Sequence, residues 1–357
     1  MGQKHSDSSR FLGRKNIRGA VITAVIAVSF FIPTPYYLYQ PGSAEELAPM
    51  VTVEGGDKAE KGTLMLTTVA SVKASNIYYL GYGLVAPHTE LKKEEEVRGD
   101  MSDDEYSRLL DHMMTSSQHN AVVAGLTAAK EPVTVHYEGV FVRAFLDGSK
   151  AKGVLQIGDI LHTIDGKELR KVDEMSAYIQ ANKKPGDHVK VGYTRDGKEQ
   201  QATLDVVEFS VNTKSGLIKR VGLGMQLENE TRIENDRDVK INAEDIGGPS
   251  AGLMFSLEIY NQIAPGDLTK GYRIAGTGTI TMDGEVGQIG GIRHKIVAAH
   301  DEGADIFFAP ADLDPTYDSN AYDAADEVKK LGYKMKVVPV ATLQEAIDYL
   351  SKLEPKQ

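Results

Sequence analysis

A serine in a glycine-rich turn and a lysine 45 positions downstream are the residues of this chain best placed to do chemistry. The serine is Ser250, in Asp245-Ile246-Gly247-Gly248-Pro249-Ser250-Ala251-Gly252-Leu253-Met254. The glycines let the backbone turn tightly, and Ala251, Leu253, Met254, Leu257, Ile259, Tyr260 and Ile263 continue with the spacing of a buried helix. A serine at such a helix start is held out of the helical ladder, beside free N–H groups able to stabilise an oxyanion. Gly248, Pro249 and Ala251 are therefore the candidate oxyanion or substrate-loop residues. A serine hydroxyl needs a base, and Gly290-Gly291-Ile292-Arg293-His294-Lys295 opens a further helix that offers Lys295. Lysine accepts a proton only when neutral, so the site must bury it among apolar groups such as Ile292, Ile296 and Val297. His294 and His300 are rival bases with no carboxylate orienter in the local sequence. Taken alone, Ser250 also suits a helix N-cap, and the Gly-Gly-Pro-Ser turn suits a phosphate cradle.

These residues need a scaffold, and the last segment, from about Ser210 to Leu353, alternates strands and helices around them. Upstream, Val51 to Val85 reads as a small β platform, and Leu91 to Ala128 has helical spacing after a charged opening. Between lies a β-rich unit, Val133 to Phe209, with one helix over Val172 to Ala181 and an Asp196-Gly197 hairpin turn. The 357 residues are 41% hydrophobic and 25% charged, an ordinary globular composition with room for several domains. A net charge of -11 gives no basic field for nucleic acid, and the absence of cysteine excludes disulfides, thiolate metal sites and a cysteine nucleophile. The serine–lysine chemistry calls for no cofactor and no metal. Asp111, His112 and His119 lack a metal-ligand spacing on one helix face and read as solvated helix residues.

At the N-terminus, Lys4, Arg10, Arg14, Lys15 and Arg18 precede an uncharged stretch, Gly19 to Gln40, that ends in Tyr36, Tyr37, Leu38 and Tyr39. The expectation is a retained single-pass anchor over 19–40, with residues 1–18 cytoplasmic and the rest outside the membrane, where no nucleotide would be available. Pro33 and Pro35 would end or kink the segment.

Four motifs carry resemblances. Tyr137-Glu138-Gly139-Val140-Phe141-Val142 and the string QIGDILHTIDG, from Gln156 to Gly166, resemble a PDZ domain over residues 131–209. That resemblance implies a carboxylate-binding loop at Gly139, Val140, Phe141 and Val142, beside which a peptide adds as a strand. GGPSAG at Gly247 to Gly252 and GEVGQIGGIRHK at Gly284 to Lys295 resemble the serine and lysine boxes of Lon-type proteases, over roughly Val221 to Leu353 within a domain of 210–357. It implies a Ser-Lys dyad of Ser250 as nucleophile and Lys295 as general base, with Thr277 helping to hold the amine. It also implies peptide or unfolded substrates and a homo-oligomeric ring. Many Lon enzymes carry an acidic residue where this chain has Gly247, leaving Asp245 either to replace it or to play no part. No phosphate-binding loop ending in Lys-Ser or Lys-Thr is present, so the expected peptidase is nucleotide-free. The order of segments resembles the membrane-anchored PDZ-Lon proteases of Gram-positive bacteria, which trim peptides, signalling peptides included, outside the cell. The expected fold is thus α/β and α+β multidomain: a transmembrane helix, a β/helical region at 41–130 packing with the protease part, a PDZ-like domain and a Lon-like domain.

Overall fold

The computed structural model describes residues 14–58, 61–213, 216–243, 246–314 and 316–356. The chain divides into two units, Met1–Pro41 with Val69–Asp100, and Gly42–Thr68 with Met101–Gln357.

In the smaller unit the helix expected to cross a membrane runs from Arg14 to Ser29, 16 residues whose first turn carries Arg14, Lys15 and, one turn on, Arg18. At 1.5 Å per residue it spans about 24 Å, short of the ~30 Å hydrocarbon core even with its charged end counted. Among the described residues no helix is long and apolar enough to cross a membrane. Tyr36 to Tyr39, expected as an interfacial belt, instead open the strand Tyr36–Glu46 and pair antiparallel with Glu90–Lys93. The transmembrane helix, the membrane partnership and the single-pass location are therefore corrected. The placement of the rest of the chain outside a membrane rested on that anchor and falls with it. The platform expected up to Val85 is also interrupted, because Ile77–Val85 is a helix. Its tyrosines favour strands, but the Asn76 side chain accepts from the N–H groups of Tyr78 (3.0 Å) and Tyr79 (3.2 Å) and starts a helix there.

The larger unit contains three hydrophobic cores, one of which packs Ile292, Ile296 and Ala299 of the helix Ile292–Asp301 with Met65, Phe307 and Ala324. The first joins segments far apart in sequence. Strand Arg273–Gly276 runs parallel to Ile306–Pro310 on one side, with Ile274 opposite Ile306, and to Thr63–Lys73 on the other, with Ile274 opposite Leu64. Lys336–Val340 adds a further parallel strand beside Ile306–Pro310. Strands buried on both faces read as continuous apolar runs, and Ile306-Phe307-Phe308-Ala309 is such a run, wholly buried. The helices Asp103–Ala128, Gly252–Ile263 and Leu343–Ser351 contribute to this core through Leu126, Phe255, Leu257 and Leu350. Asp103–Ala128 starts at a capping box in which Ser102 and Glu105 satisfy each other's backbone N–H groups.

The second core belongs to an antiparallel sheet with strand order Met225–Asn235, Val133–Phe145, Ile160–Ile164, His188–Arg195, Lys198–Asp205. The helix Val172–Asn182 covers it through Met175 and Ile179, which pack with Val140, Val142, Leu161 and Val191. This sheet sits as an insertion in the first fold. The chain enters it along Val133–Phe145 and leaves along Met225–Asn235, and these two strands are paired from Val133↔Asn235 to Phe145↔Met225.

Candidate active site

The serine turn depends on local backbone geometry. Gly248 adopts φ +83°, a left-handed conformation that side-chain-bearing residues avoid, and Pro249 and Ser250 follow. The helix starts two residues later than the sequence suggests, at Gly252, with Ala251 as N-cap. A Cβ at Gly252 would lie 2.7 Å from Ile280 Cγ2, so the glycine lets the helix start approach the neighbouring strand. Leu253, Met254, Phe255, Leu257 and Ile259 are fully buried, anchoring the turn while Ser250 itself stays partly exposed. Asp245 lies outside the described residues.

Lys295 comes from the helix Ile292–Asp301, which starts after Gly291 at φ +72°. Its Nζ lies 3.1 Å from Ser250 Oγ. The amine also donates to the backbone carbonyl of Thr67, on the strand Thr63–Lys73. Thr67 is itself fixed by its hydroxyl, which donates to the Gly276 carbonyl at 3.1 Å. Only 3% of Lys295 is exposed, and burial lowers its pKa from the usual lysine range to about 7. Among the described side chains, Lys295 is the hydrogen-bond partner of Ser250 Oγ. Of the rival bases, His300 stacks on Tyr333, with ring centroids 3.5 Å apart, and His294 is buried on the lysine helix.

Thr277, expected to help hold the amine, sits differently. Its buried hydroxyl donates to the Ser250 carbonyl at 2.9 Å, and the Gly278 N–H donates to the same oxygen at 2.9 Å. The backbone of the serine is thus held from the Thr277 side, and the amine from Thr67. Neither the Ser250 nor the Ala251 N–H has a partner among the described residues, so both remain available to an oxyanion. Thr67 was missed by sequence reasoning. Its contribution is a main-chain carbonyl 228 residues from the lysine, which no local pattern signals.

Gly139, Val140, Phe141 and Val142 lie inside the strand Val133–Phe145, not in a free loop. They face Glu230, Asn229, Glu228 and Leu227 on one side, and Val140 and Phe141 face Leu161 and Ile160 on the other. A groove lies instead between the helix Val172–Asn182 and the segment 220–227, with a volume of about 310 Å³. Met175 and Ile179 line one wall, Leu223 and Met225 the other, with Phe209 and Arg220 completing the lining. The strand Met225–Asn235 is the last of its sheet and pairs on one side only among the described residues. Gly222-Leu223-Gly224, with Gly224 at φ +67°, was the available sequence signal for a tight turn here.

Comparison with known proteins finds two matching families. Residues 202–352 match the family of the Lon protease (S16) C-terminal proteolytic domain, and residues 131–206 match the PDZ domain family. The chain carries a Lon-type proteolytic domain. Curated relatives include the Lon protease of Mesomycoplasma hyopneumoniae, 33% identical over 105 residues, which are 29% of this chain and 11% of that protein. The Lon protease of Metamycoplasma arthritidis is 35% identical over 109 residues, 30% of this chain and 12% of that protein. The chain therefore spans about a tenth of the length of these relatives. The solved PDZ domain of an SdrC-like protein from Listeria monocytogenes is 34% identical, covering 26% of this chain and 92% of that one, with a TM-score of 0.22. The Lon-type domain gives the site a serine-protease-like fold, and the first core extends it beyond the matched residues, to Leu47–Leu66 and Met114–Leu126.

Proposed function

We propose that this chain is a nucleotide-free serine endopeptidase in which Ser250 is the nucleophile and Lys295 the general base. The observation that carries the reading is the 3.1 Å approach of Ser250 Oγ to an amine whose pKa burial lowers to about 7. A neutral Lys295 takes the hydroxyl proton as Ser250 Oγ bonds to the peptide carbonyl carbon, and the carbonyl oxygen gains the negative charge. The Ser250 and Ala251 N–H groups stabilise that charge. The ammonium, held by the Thr67 carbonyl, then protonates the departing amine as the C–N bond breaks, leaving an acyl group on Ser250. Water attacks the acyl group with Lys295 again as base, releasing the acid and restoring the serine. In this reading the PDZ-like unit selects substrate by accepting an extended peptide as an added strand along Met225–Asn235, beside the groove.

The test is hydrolysis of short unfolded peptides by the full chain without nucleotide, beside Ser250→Ala and Lys295→Ala. Each substitution is expected to lower kcat by about 1000-fold or more. Cleavage undiminished in either variant would sink the dyad.

A further inference from the structure

Two peptide planes flank Ser250, and different parts of the chain hold them. The plane between Ser250 and Ala251 is fixed at its carbonyl by Thr277 Oγ1 and Gly278 N, each at 2.9 Å. The plane between Pro249 and Ser250 is held at the Pro249 carbonyl. One donor to that oxygen is the Gly252 N–H, at a long 3.4 Å. The other, at 3.0 Å, is the hydroxyl of Ser117, 132 residues upstream on the helix Asp103–Ala128. Ser117 is 3% exposed, and its Oγ lies 3.0 Å from where a Cβ at Gly252 would stand. One turn further along that helix, Asn120 Nδ2 donates to the Ile280 carbonyl at 3.0 Å, fixing the strand against which the serine turn packs. Ser117 lies outside both matched regions, 131–206 and 202–352.

A trans peptide is a rigid plane with C=O and N–H pointing in opposite directions, so fixing one fixes the other. From this we infer that Ser117 is a positioning residue for the Ser250 turn: its hydroxyl holds the Pro249 carbonyl and thereby aims the Ser250 N–H at the oxyanion. Thr277 does the equivalent for the Ala251 N–H through the Ser250 carbonyl. The two N–H donors are thus set by side chains from separate segments, one before the inserted PDZ-like unit and one after it. Donors fixed in advance need no reorganisation as charge develops, so the contribution of Ser117 falls on the transition state and not on substrate binding. Pro249 makes the arrangement more dependent on Ser117, because proline supplies no N–H with which to anchor the turn itself.

This inference rests on Ser250 being the nucleophile, and its test separates the two claims. Ser117→Ala in the full chain is expected to lower kcat by about 10- to 100-fold with KM within about 2-fold. A peptide aldehyde, which forms a tetrahedral adduct with the serine, should lose affinity by the same factor as kcat/KM, and the pH midpoint set by Lys295 should not move. Ser117→Thr and Ser117→Val share any packing cost and differ in the hydroxyl, so Thr should exceed Val in kcat by a similar factor even where both melt lower. Equal kcat in the Thr and Val variants, or a Ser117→Ala loss confined to KM, overturns the positioning role while leaving the dyad intact. Retained cleavage by Ser250→Ala would overturn both claims, a result that does not depend on Ser117.

Discussion

As the base we propose, Lys295 has to be uncharged to work near neutral pH, and burial alone lowers its pKa to about 7. The expected activity follows directly from the sign. The working form is the neutral amine, so kcat/KM should rise with pH through about 7 and level off above it, falling about 100-fold by pH 5. A pH–rate series with a short peptide checks this, and a profile flat from pH 5 to 8 would remove Lys295 as the base. Ser250 and Lys295 were legible in the sequence because each stands in a short glycine-marked string. Thr67 and Ser117 were not, since a carbonyl or a hydroxyl reaching in from another segment leaves no periodicity and no motif. The altered position of Thr277 has the same origin: the resemblance named the residue, and only the fold fixes which oxygen its hydroxyl meets.

The helix Gly252–Ile263 that carries the turn is buried on nearly every face, polar residues included. Glu258, 1% exposed, accepts from Gln262 Nε2 at 2.7 Å, and Gln262 bonds both the N–H of Val53 and the carbonyl of Val51. That network ties the strand Val51–Val53 to the helix. Burial raises the Glu258 pKa to about 7, above its ordinary 4.5, so the stability it allows is fully present below pH 4.5 and is lost as pH rises through about 7. Glu258→Gln, which cannot ionise, should therefore melt increasingly above wild type between pH 5 and pH 8, by at most a few kcal/mol at the upper end. Parallel melting curves for the two proteins across that range would contradict the buried-carboxylate penalty. Sequence spacing found this helix and, within Leu91 to Ala128, the helix Asp103–Ala128, since long amphipathic periods survive without tertiary context; the charged opening of that stretch is instead the strand Glu90–Lys93 and a separate short helix, Glu94–Arg98. It misread the Arg14–Ser29 helix, whose apolar run looks long enough only if Tyr36 to Tyr39 belong to it, and cross-strand pairing takes those residues. It also placed a peptide-binding loop at Gly139–Val142, where partner strands on both sides close the backbone.

At the scale of the whole larger unit, the Lon-type fold is discontinuous in sequence. Its core draws on Leu47–Leu66, Met114–Leu126 and Ala243–Leu350, and the second core intervenes as an insertion. Sequence reading treated the earlier segment as a separate region packing against the protease part. Contributions of that kind from before the insertion become visible only through the parallel pairing of Thr63–Lys73 with Arg273–Gly276. Because the insertion begins and ends on paired strands, it should be removable. Joining Tyr137 to its register partner Thr231 through a two-residue Asn-Gly turn would keep Val133 and Ile233 on the first core and remove the second core entire. The shortened protein is expected to fold and to hydrolyse short unselective peptides within about 10-fold of wild type, while losing discrimination among longer ones. Circular dichroism melts with parallel peptide assays would check it, and a folded but inactive product would show that the insertion takes part in the chemistry.

The discontinuous core also imposes an order in time. Thr67 and Ser117 emerge before Lys295, which follows Thr67 by 228 residues, a delay on the order of 10 to 50 seconds at ordinary elongation rates. The strand that completes the parallel sheet, Lys336–Val340, comes later still. The inserted unit, whose core lies within Val140 to Leu223, has all its own parts long before that moment. In the proposed reading, a chain still in synthesis therefore holds the complete core of the inserted unit before Lys295 exists, so recognition precedes any capacity to cut.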